Sequence, residues 1–495
     1  MYSLASLIII SSNSVEPVYQ QIANQLLKLI KGGTLTTGHR LPSTRELSEQ
    51  LKVHRKTIVR AYDELLVQGW LQSETGNGTF VSEKLPFIAP EKLMARSTQK
   101  GSNLKTAGYN IDNADHLARK LIKHTSQYHL DDGYPDGRLA PLTDLSRAYR
   151  TQLRAGNQYV RLGYGDPKGS IWLREELCTY FAETRGLNIT SENILITRGT
   201  IMGLYLVSTA LLKPGDNIVI GDLGWTGANM NFLQAGANVI KIPVDGHGII
   251  VDELREICRV KPIRMVYVTP HHNYPTTVAL RADRRMQLLQ LAKEFDFIVF
   301  EDDYDYDFHY QNKPLQPLAG ADVTGHVLYC GSFTKAIAPA FRIGYLVGPE
   351  NVIQRLATLR RIVDRQGDNL VENAVAELLQ LGIIQKHVRK SLRAYHERRD
   401  LFCELLKYHL QDKVDFKMPE GGMALWATFD QSINIYDLQK QALARDIYIN
   451  DGSGQFTRQS AEQSLRLGFA SSTVTELEYI AETLGKLTSC QVSLK

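Results

Sequence analysis

The sequence predicts a multidomain chain: a small α+β unit at the amino terminus, a basic connecting stretch, then a large α/β unit on a mainly parallel sheet with a small α+β part at its carboxyl end. Three observations carry this reading. Residues 16–83 read as three helices followed by a hairpin. Residues 84 to about 125 are Lys-rich, contain Ser, Thr and Asn, and are weakly periodic, which suits a linker. From about residue 130 onward, helical patterns alternate with short apolar runs at Asn193–Thr197, Asn217–Ile220, Val239–Ile242, Met265–Val268, Phe297–Phe300 and His326–Cys330. Strands alternating with helices build a three-layer sheet. The expected boundaries are 12–83, 84–125 and 126–490, the last with a large part over about 155–350 and a small part over about 351–490.

A length of 495 residues suits two to four domains at roughly 100–200 residues each. With 43% hydrophobic and 22% charged residues, wholesale disorder and a disulfide scaffold are excluded. The longest purely apolar runs are short, as at Leu7–Ile10, so no membrane-spanning helix is expected. The five cysteines are dispersed with no CxxC pair, which fits a reducing cytoplasm and argues against a structural metal. Net charge is +4, and its distribution is uneven. Lys and Arg number eight against seven Asp and Glu over residues 1–83, and five against one over residues 84–105. Any nucleic-acid binding must therefore be local.

In the amino-terminal zone, Ser43 followed three residues later by Glu46 is a capping-box pattern, so a short helix is expected to about Leu51. A turn follows at Lys52-Val53-His54. A second helix, about Arg55 to Gln68, is expected to bury Ile58, Val59, Tyr62, Leu65 and Leu66 and to stop at Gly69. Two helices joined by a tight turn make a helix-turn-helix, whose second helix enters the major groove of DNA. Arg55, Lys56, Thr57 and Arg60 face outward on it. Strands Trp70-Leu71-Gln72 and Thr79-Phe80-Val81, joined by a Gly76-Asn77-Gly78 tip, could form a wing. The run from Pro17-Val18-Tyr19 through Gly38–Leu47, Val53–Thr57 and Ala61–Leu65 to Gly78–Val81 resembles the winged-helix domain of GntR-type transcriptional regulators. The resemblance implies double-stranded DNA as partner, contacted by Arg40, Ser43, Arg45, Arg55, Lys56, Thr57 and Gly78. It departs at the turn, where Lys52 and His54 replace the usual Gly and Ser or Thr.

The sharpest signal in the large zone is Gly331-Ser332-Phe333-Thr334-Lys335, followed by Phe341-Arg342-Ile343-Gly344. A Lys just past a strand, in small and hydroxylated company, is placed to form an imine with an aldehyde. A hydroxyl three residues before it and an Arg seven after can share one phosphate. Upstream, Val299-Phe300-Glu301-Asp302-Asp303-Tyr304 ends an apolar strand in carboxylates, one of which can hold a pyridinium nitrogen protonated. Thr197-Arg198-Gly199-Thr200-Ile201 follows a strand and opens a helix, so its backbone N–H groups and the helix dipole face an anion.

In this order and spacing, residues 130–488 resemble fold-type I pyridoxal-phosphate enzymes, the aspartate aminotransferase superfamily. The resemblance implies pyridoxal 5'-phosphate as cofactor, Lys335 as its imine-forming catalytic lysine and Asp302 as partner of the pyridine nitrogen. Tyr304 and Asn273 would bond the ring's phenolic oxygen. Gly199, Thr200, Ile201, Ser332 and Arg342 would hold the phosphate, and Tyr164 has the spacing of a tyrosine that reaches the partner subunit's phosphate. Trp225 sits where an aromatic stacks on the ring; a core tryptophan is the other reading. The segment after Asn273 ends in Thr277 where Gly is usual. Arg466, in Leu465-Arg466-Leu467-Gly468, matches the strand whose Arg grips a substrate α-carboxylate, and a buried Arg there requires a ligand or structural carboxylate.

The whole arrangement resembles the MocR family of bacterial regulators. That implies a head-to-tail homodimer that senses pyridoxal phosphate, or its aldimine with an amino acid. In the γ-aminobutyrate-sensing type, arginines stand where this chain has Gly227 and Gln455, which favours an α-amino acid or a pyridoxal vitamer as effector. The alternative is a working aminotransferase with a DNA-binding appendage, because the imine-forming lysine can also move a proton as general base.

Overall fold

The computed structural model describes residues 4–11, 14, 16–85, 107–111, 114–118, 125–154, 156–157, 159, 162–310, 316–452, 455–456 and 463–493. Residues 86–106, 112–113 and 119–124 of the expected linker lie outside the described residues. The chain divides into two compact units, Met1–Asp112 and Asn113–Lys495.

The first unit packs helices Val18–Lys31, Thr44–Leu51 and Arg55–Val67 against an antiparallel hairpin of Leu71–Glu74 and Gly78–Val81. Ile22, Leu26, Leu47, Ile58, Ala61 and Leu65 form its core. Ser43 caps the second helix by accepting the Glu46 N–H at 3.2 Å. Val59, expected in the core, is exposed, and Ala61 takes its place. The helix turns Ile58, Ala61, Tyr62 and Leu65 inward at spacings of three and four, which leaves position 59 off that stripe.

The second unit is built on a seven-stranded sheet. Its order is Ile194–Thr197, Gly344–Val347, Val327–Ser332, Ile298–Asp303, Met265–Val268, Asn217–Gly221, Asn238–Ile242. Pairing is parallel except at Gly344–Val347, which runs antiparallel to both neighbours. Strands buried on both faces read as continuous apolar runs, which is why five of the parallel ones were visible in sequence; Asn238–Ile242, at the sheet edge, is only partly buried. The strand Gly344–Val347 was not visible, because it opens on Gly344 directly after the segment Phe341-Arg342-Ile343.

The small part has an antiparallel sheet of Val414–Phe416, Ala424–Phe429 and Ser464–Gly468, backed by helices Ile383–Leu410 and Val474–Ser493. Leu130, Phe402, Leu406, Leu425, Leu467 and Ile480 are among its buried residues. A short strand from far upstream, Tyr128–Leu130, pairs in parallel with Ile447–Ile449. It brings the turn that follows it, Asp131–Tyr134, to the strand bearing Arg466: the Gly468 N–H donates to the Asp131 carbonyl at 2.8 Å.

Candidate functional site

In the first unit, the helix-turn-helix is held by local chemistry that replaces the usual residues. Lys52 takes the left-handed conformation at φ 54° where Gly would be free of strain. The His54 ring caps the next helix, its Nδ1 accepting the Lys56 N–H at 3.2 Å. Arg55 and Lys56 are exposed at that helix start, and Thr57 is half-buried. Arg55 Nε donates to Thr44 Oγ1 at 3.4 Å. Arg45 is exposed and lies 3.6 Å from Glu49. Arg40, Ser43, Thr44, Gly78 and Thr79 line one groove beside the hairpin. Arg60 is exposed, its guanidinium 4.0 Å over the Tyr19 ring.

In the second unit, the carboxyl ends of the central strands open on a cavity of about 240 Å³. In open α/β sheets that is where ligands bind. Thr200, Ile201, Trp225, Asp302, Tyr304, Ser332, Lys335, Arg342 and Arg466 all line it. Residues from five distant stretches of chain therefore converge on one space. Lys335 Nζ donates to the Gly133 carbonyl and lies 4.9 Å over the Tyr134 ring. Burial pulls its pKa down, against the opposing pull of Asp132.

Asp302 is buried, and its Oδ2 accepts from the Tyr267 hydroxyl at 2.6 Å. Its Oδ1 is buried with no hydrogen-bond partner among the described residues. Burial pushes the Asp302 carboxyl up to about 7, with the Tyr267 hydrogen bond opposing. A buried polar atom without a partner is costly, so a donor is expected at that oxygen.

The expected anion cradle is also shaped. Gly199 has φ 80° and stands before the helix Thr200–Leu211, and a Cβ there would come within 2.8 Å of the Arg342 guanidinium. Only glycine leaves that space open. Arg342 Nη2 donates to the Arg198 carbonyl at 2.5 Å, which holds its head over the helix start. Trp225 is half-buried beside Gly227, whose Cβ would lie 2.5 Å from the indole. Any side chain at 227 would push the tryptophan aside. Gln455 pairs with Trp225 in a short antiparallel ladder, and Gly227 lies two residues after that tryptophan.

Three expected residues are not in that lining: Asn273, Tyr164 and Gly199, the last of which lies against Arg342. Asn273 is buried in a smaller pocket that shares Trp225, Tyr267, Thr269 and Tyr274 with it. Its Nδ2 donates to Thr276 Oγ1 at 3.0 Å. Tyr164 is 78% exposed, with the Arg365 guanidinium 3.8 Å over its ring. The Tyr304 hydroxyl donates to the His272 carbonyl at 2.6 Å. Thr277 holds φ 63° where glycine would be usual.

Arg466 is 1% exposed and has a structural carboxylate, Asp132, 3.3 Å from its Nε. Asp132, Tyr134, Tyr267, Thr269, Tyr274 and Thr334 also line the cavity and were not among the residues expected from the sequence. Tyr267 and Thr269 close the apolar run Met265–Val268, as Asp302 closes its own strand, and that position was a usable signal. Asp132 had only an Asp-Asp-Gly turn to mark it.

Two family models match the chain: "Aminotransferase class I and II" over residues 131–484 and "Bacterial regulatory proteins, gntR family" over residues 18–81. The chain is 28% identical over 470 residues to the probable rhizopine catabolism regulatory protein MocR of Rhizobium meliloti, covering 94% of this chain and 92% of that protein. It is 29% identical over 474 residues to the HTH-type transcriptional regulator YisV of Bacillus subtilis, covering 94% and 95%. Its fold matches the multiple substrate aminotransferase of Thermococcus profundus with a TM-score of 0.69 at 24% identity, over 75% of this chain and 94% of that one. No helix among the described residues is long and apolar enough to cross a membrane. With one model spanning most of its length and the other spanning its helix-turn-helix, the chain belongs to the class I and II aminotransferase family, in the MocR-type architecture of a GntR-family DNA-binding domain ahead of an aminotransferase-like domain.

Proposed function

We propose that the protein is a DNA-binding regulator that senses pyridoxal phosphate, alone or together with an amino compound, through the aminotransferase-like domain. The observation that carries this reading is the partnerless, buried Oδ1 of Asp302 in a cavity that also holds Lys335. A protonated pyridine nitrogen is a donor suited to that oxygen. When bound, the cofactor supplies an aldehyde that condenses with amines and a ring that withdraws electrons.

The residues divide the work of holding it. Lys335 would carry the covalent link, and its lowered pKa leaves more of the neutral amine that attacks a carbonyl. Ser332, Arg342 and the N–H groups from Gly199 to Ile201 would hold the phosphate. Trp225 would pack on the ring, and Tyr304 and Asn273 would stand near its phenolic oxygen. The exposed Tyr164 would serve the partner subunit of a homodimer. On the DNA side, Arg40, Ser43, Arg45, Arg55, Lys56, Thr57 and Gly78 would meet the duplex, and two winged helices would read two spaced half-sites. Arg60, exposed on the same helix as Arg55 and Lys56, would join them.

The test is spectroscopic. Full-length protein incubated with pyridoxal phosphate should show a visible absorption band, and borohydride should fix the cofactor on Lys335. Lys335→Ala should bind it only reversibly. A wild-type protein without the band removes the sensor reading. A second reading, a working aminotransferase, is favoured by a Lys335 able to move a proton; turnover of amino-acid and keto-acid pairs would establish it.

A further inference from the structure

Arg466 lies on the strand Ser464–Gly468, where a ligand carboxylate would be expected. The chain has already filled that seat. Asp132 Oδ1 is 3.3 Å from Arg466 Nε, and Arg466 Nη1 donates to the Pro275 carbonyl at 3.0 Å. Asp132 also accepts from the Tyr274 hydroxyl at 3.1 and 3.0 Å, one contact to each oxygen, and from Asn450 Nδ2 at 3.4 Å. The next residue, Gly133, offers its carbonyl to Lys335. One turn therefore places a carboxylate on the guanidinium and a carbonyl on the amine.

That turn is anchored rather than poised to swing. Asp131 Oδ1 accepts the N–H groups of Gly133 at 2.8 Å and Tyr134 at 2.7 Å. Its Oδ2 accepts the Ser471 hydroxyl at 2.6 Å, and its carbonyl accepts the Gly468 N–H. The turn is thus tied to the end of the strand that bears Arg466. A ligand carboxylate arriving there would meet a second carboxylate in a confined, partly desolvated place. Like charges so placed cannot both stay ionised without a large cost. An amine lacking that carboxylate leaves the Asp132–Arg466 pair intact, and Asp132 attracts its ammonium form on approach.

We propose that the cavity selects primary amines without an α-carboxylate, with Asp132 as the specificity-determining residue that excludes α-amino acids. This rests on the reading that Lys335 carries pyridoxal phosphate.

The experiment titrates the cofactor-loaded full chain with matched pairs, cadaverine against lysine and 2-phenylethylamine against phenylalanine, and follows the absorption band. In the wild type, each amine should half-saturate the shift at a concentration at least about tenfold lower than its amino acid. Asp132→Asn should lower the amino-acid value by about tenfold and move the amine value by less than about threefold. Asp132→Ser is the second variant should Asn disturb the turn. As an independent readout, maleate should raise the melting temperature of either variant and leave the wild type unmoved. Equal or tighter response of the wild type to the amino acids, a preference unmoved in both variants, or a band that no amine shifts would overturn the proposal. Absence of the band before any amine is added would instead remove the cofactor reading beneath it.

Discussion

At the scale of single residues, Asp302 shows how a site is recognised by what it lacks. It is 4% exposed at the end of an apolar strand, flanked by Glu301 and Asp303, which burial also pushes up, to about 7 and about 6. Three adjacent buried carboxyls are unfavourable in an isolated chain. Glu301 is satisfied by the N–H groups of Leu318 and Ala319, and Asp303 by the Tyr329 hydroxyl and the Tyr306 N–H. Asp302 alone of the three has an oxygen without a partner. Its folded pKa, about 7, lies above the ordinary carboxyl value of 3.8. Its contribution to stability is therefore full below about pH 4 and is lost as pH rises to about 7. Asp302→Asn should remove that loss. Without cofactor the variant should melt about 2 °C or more above the wild type at pH 8, and the two should coincide at pH 4. Adding pyridoxal phosphate at pH 8 should stabilise the wild type more than the variant. Melting curves across pH, with and without cofactor, measure both; a variant less stable at pH 8 would show that the carboxylate has a partner in solution.

At the scale of elements, what was legible follows from whether chain order and spatial order coincide. The helix Thr44–Leu51 was readable because its cap, Ser43, lies three residues from the N–H it accepts. Ser43→Ala should cost about 1 kcal/mol in the melting of the first unit, and Lys52→Gly should return about as much by relieving the left-handed turn. Scanning calorimetry of the full chain would read both, and a stabilising Ser43→Ala would contradict the cap. Lys335, Ser332, Asp302 and Arg342 were readable for a similar reason. Asp302, Ser332 and Lys335 sit at or within a few residues of the end of an apolar strand that opens on the cavity, and Arg342 follows Lys335 by seven residues. Asp132 and Arg466 are separated by 334 positions, and the strand Tyr128–Leu130 that leads into Asp132 pairs with Ile447–Ile449, far along the chain. No local periodicity encodes that. Val59 failed for a different reason: the helix Arg55–Val67 turns Ile58, Ala61, Tyr62 and Leu65 into the core, and position 59 falls outside that face.

At the scale of the whole molecule, charge has to be counted where it lies. A net charge of +4 on 495 residues is too small to bring the chain to DNA by bulk attraction, and residues 1–83 are close to neutral. Binding must come from a few cations on one surface, with the local acids displaced from it. Arg55 and Lys56 are exposed at the helix start, but Arg45 is shared with Glu49 at 3.6 Å, both side chains more than two-thirds exposed. Such a pair is worth little in water, between about 0 and 1 kcal/mol, so Arg45 can leave it for a phosphate at small cost. Lys56→Ala should lower the slope of log affinity against log salt by roughly one, on promoter and random duplex alike, as loss of a phosphate contact does. Glu49→Gln should act oppositely, freeing Arg45 and tightening binding by up to about fivefold at low salt, with the gain screened away near 0.5 M. Fluorescence anisotropy over a salt series with both duplexes separates these effects. A slope unchanged by Lys56→Ala, or a gain from Glu49→Gln that survives high salt, would move the duplex off this face of the helix-turn-helix.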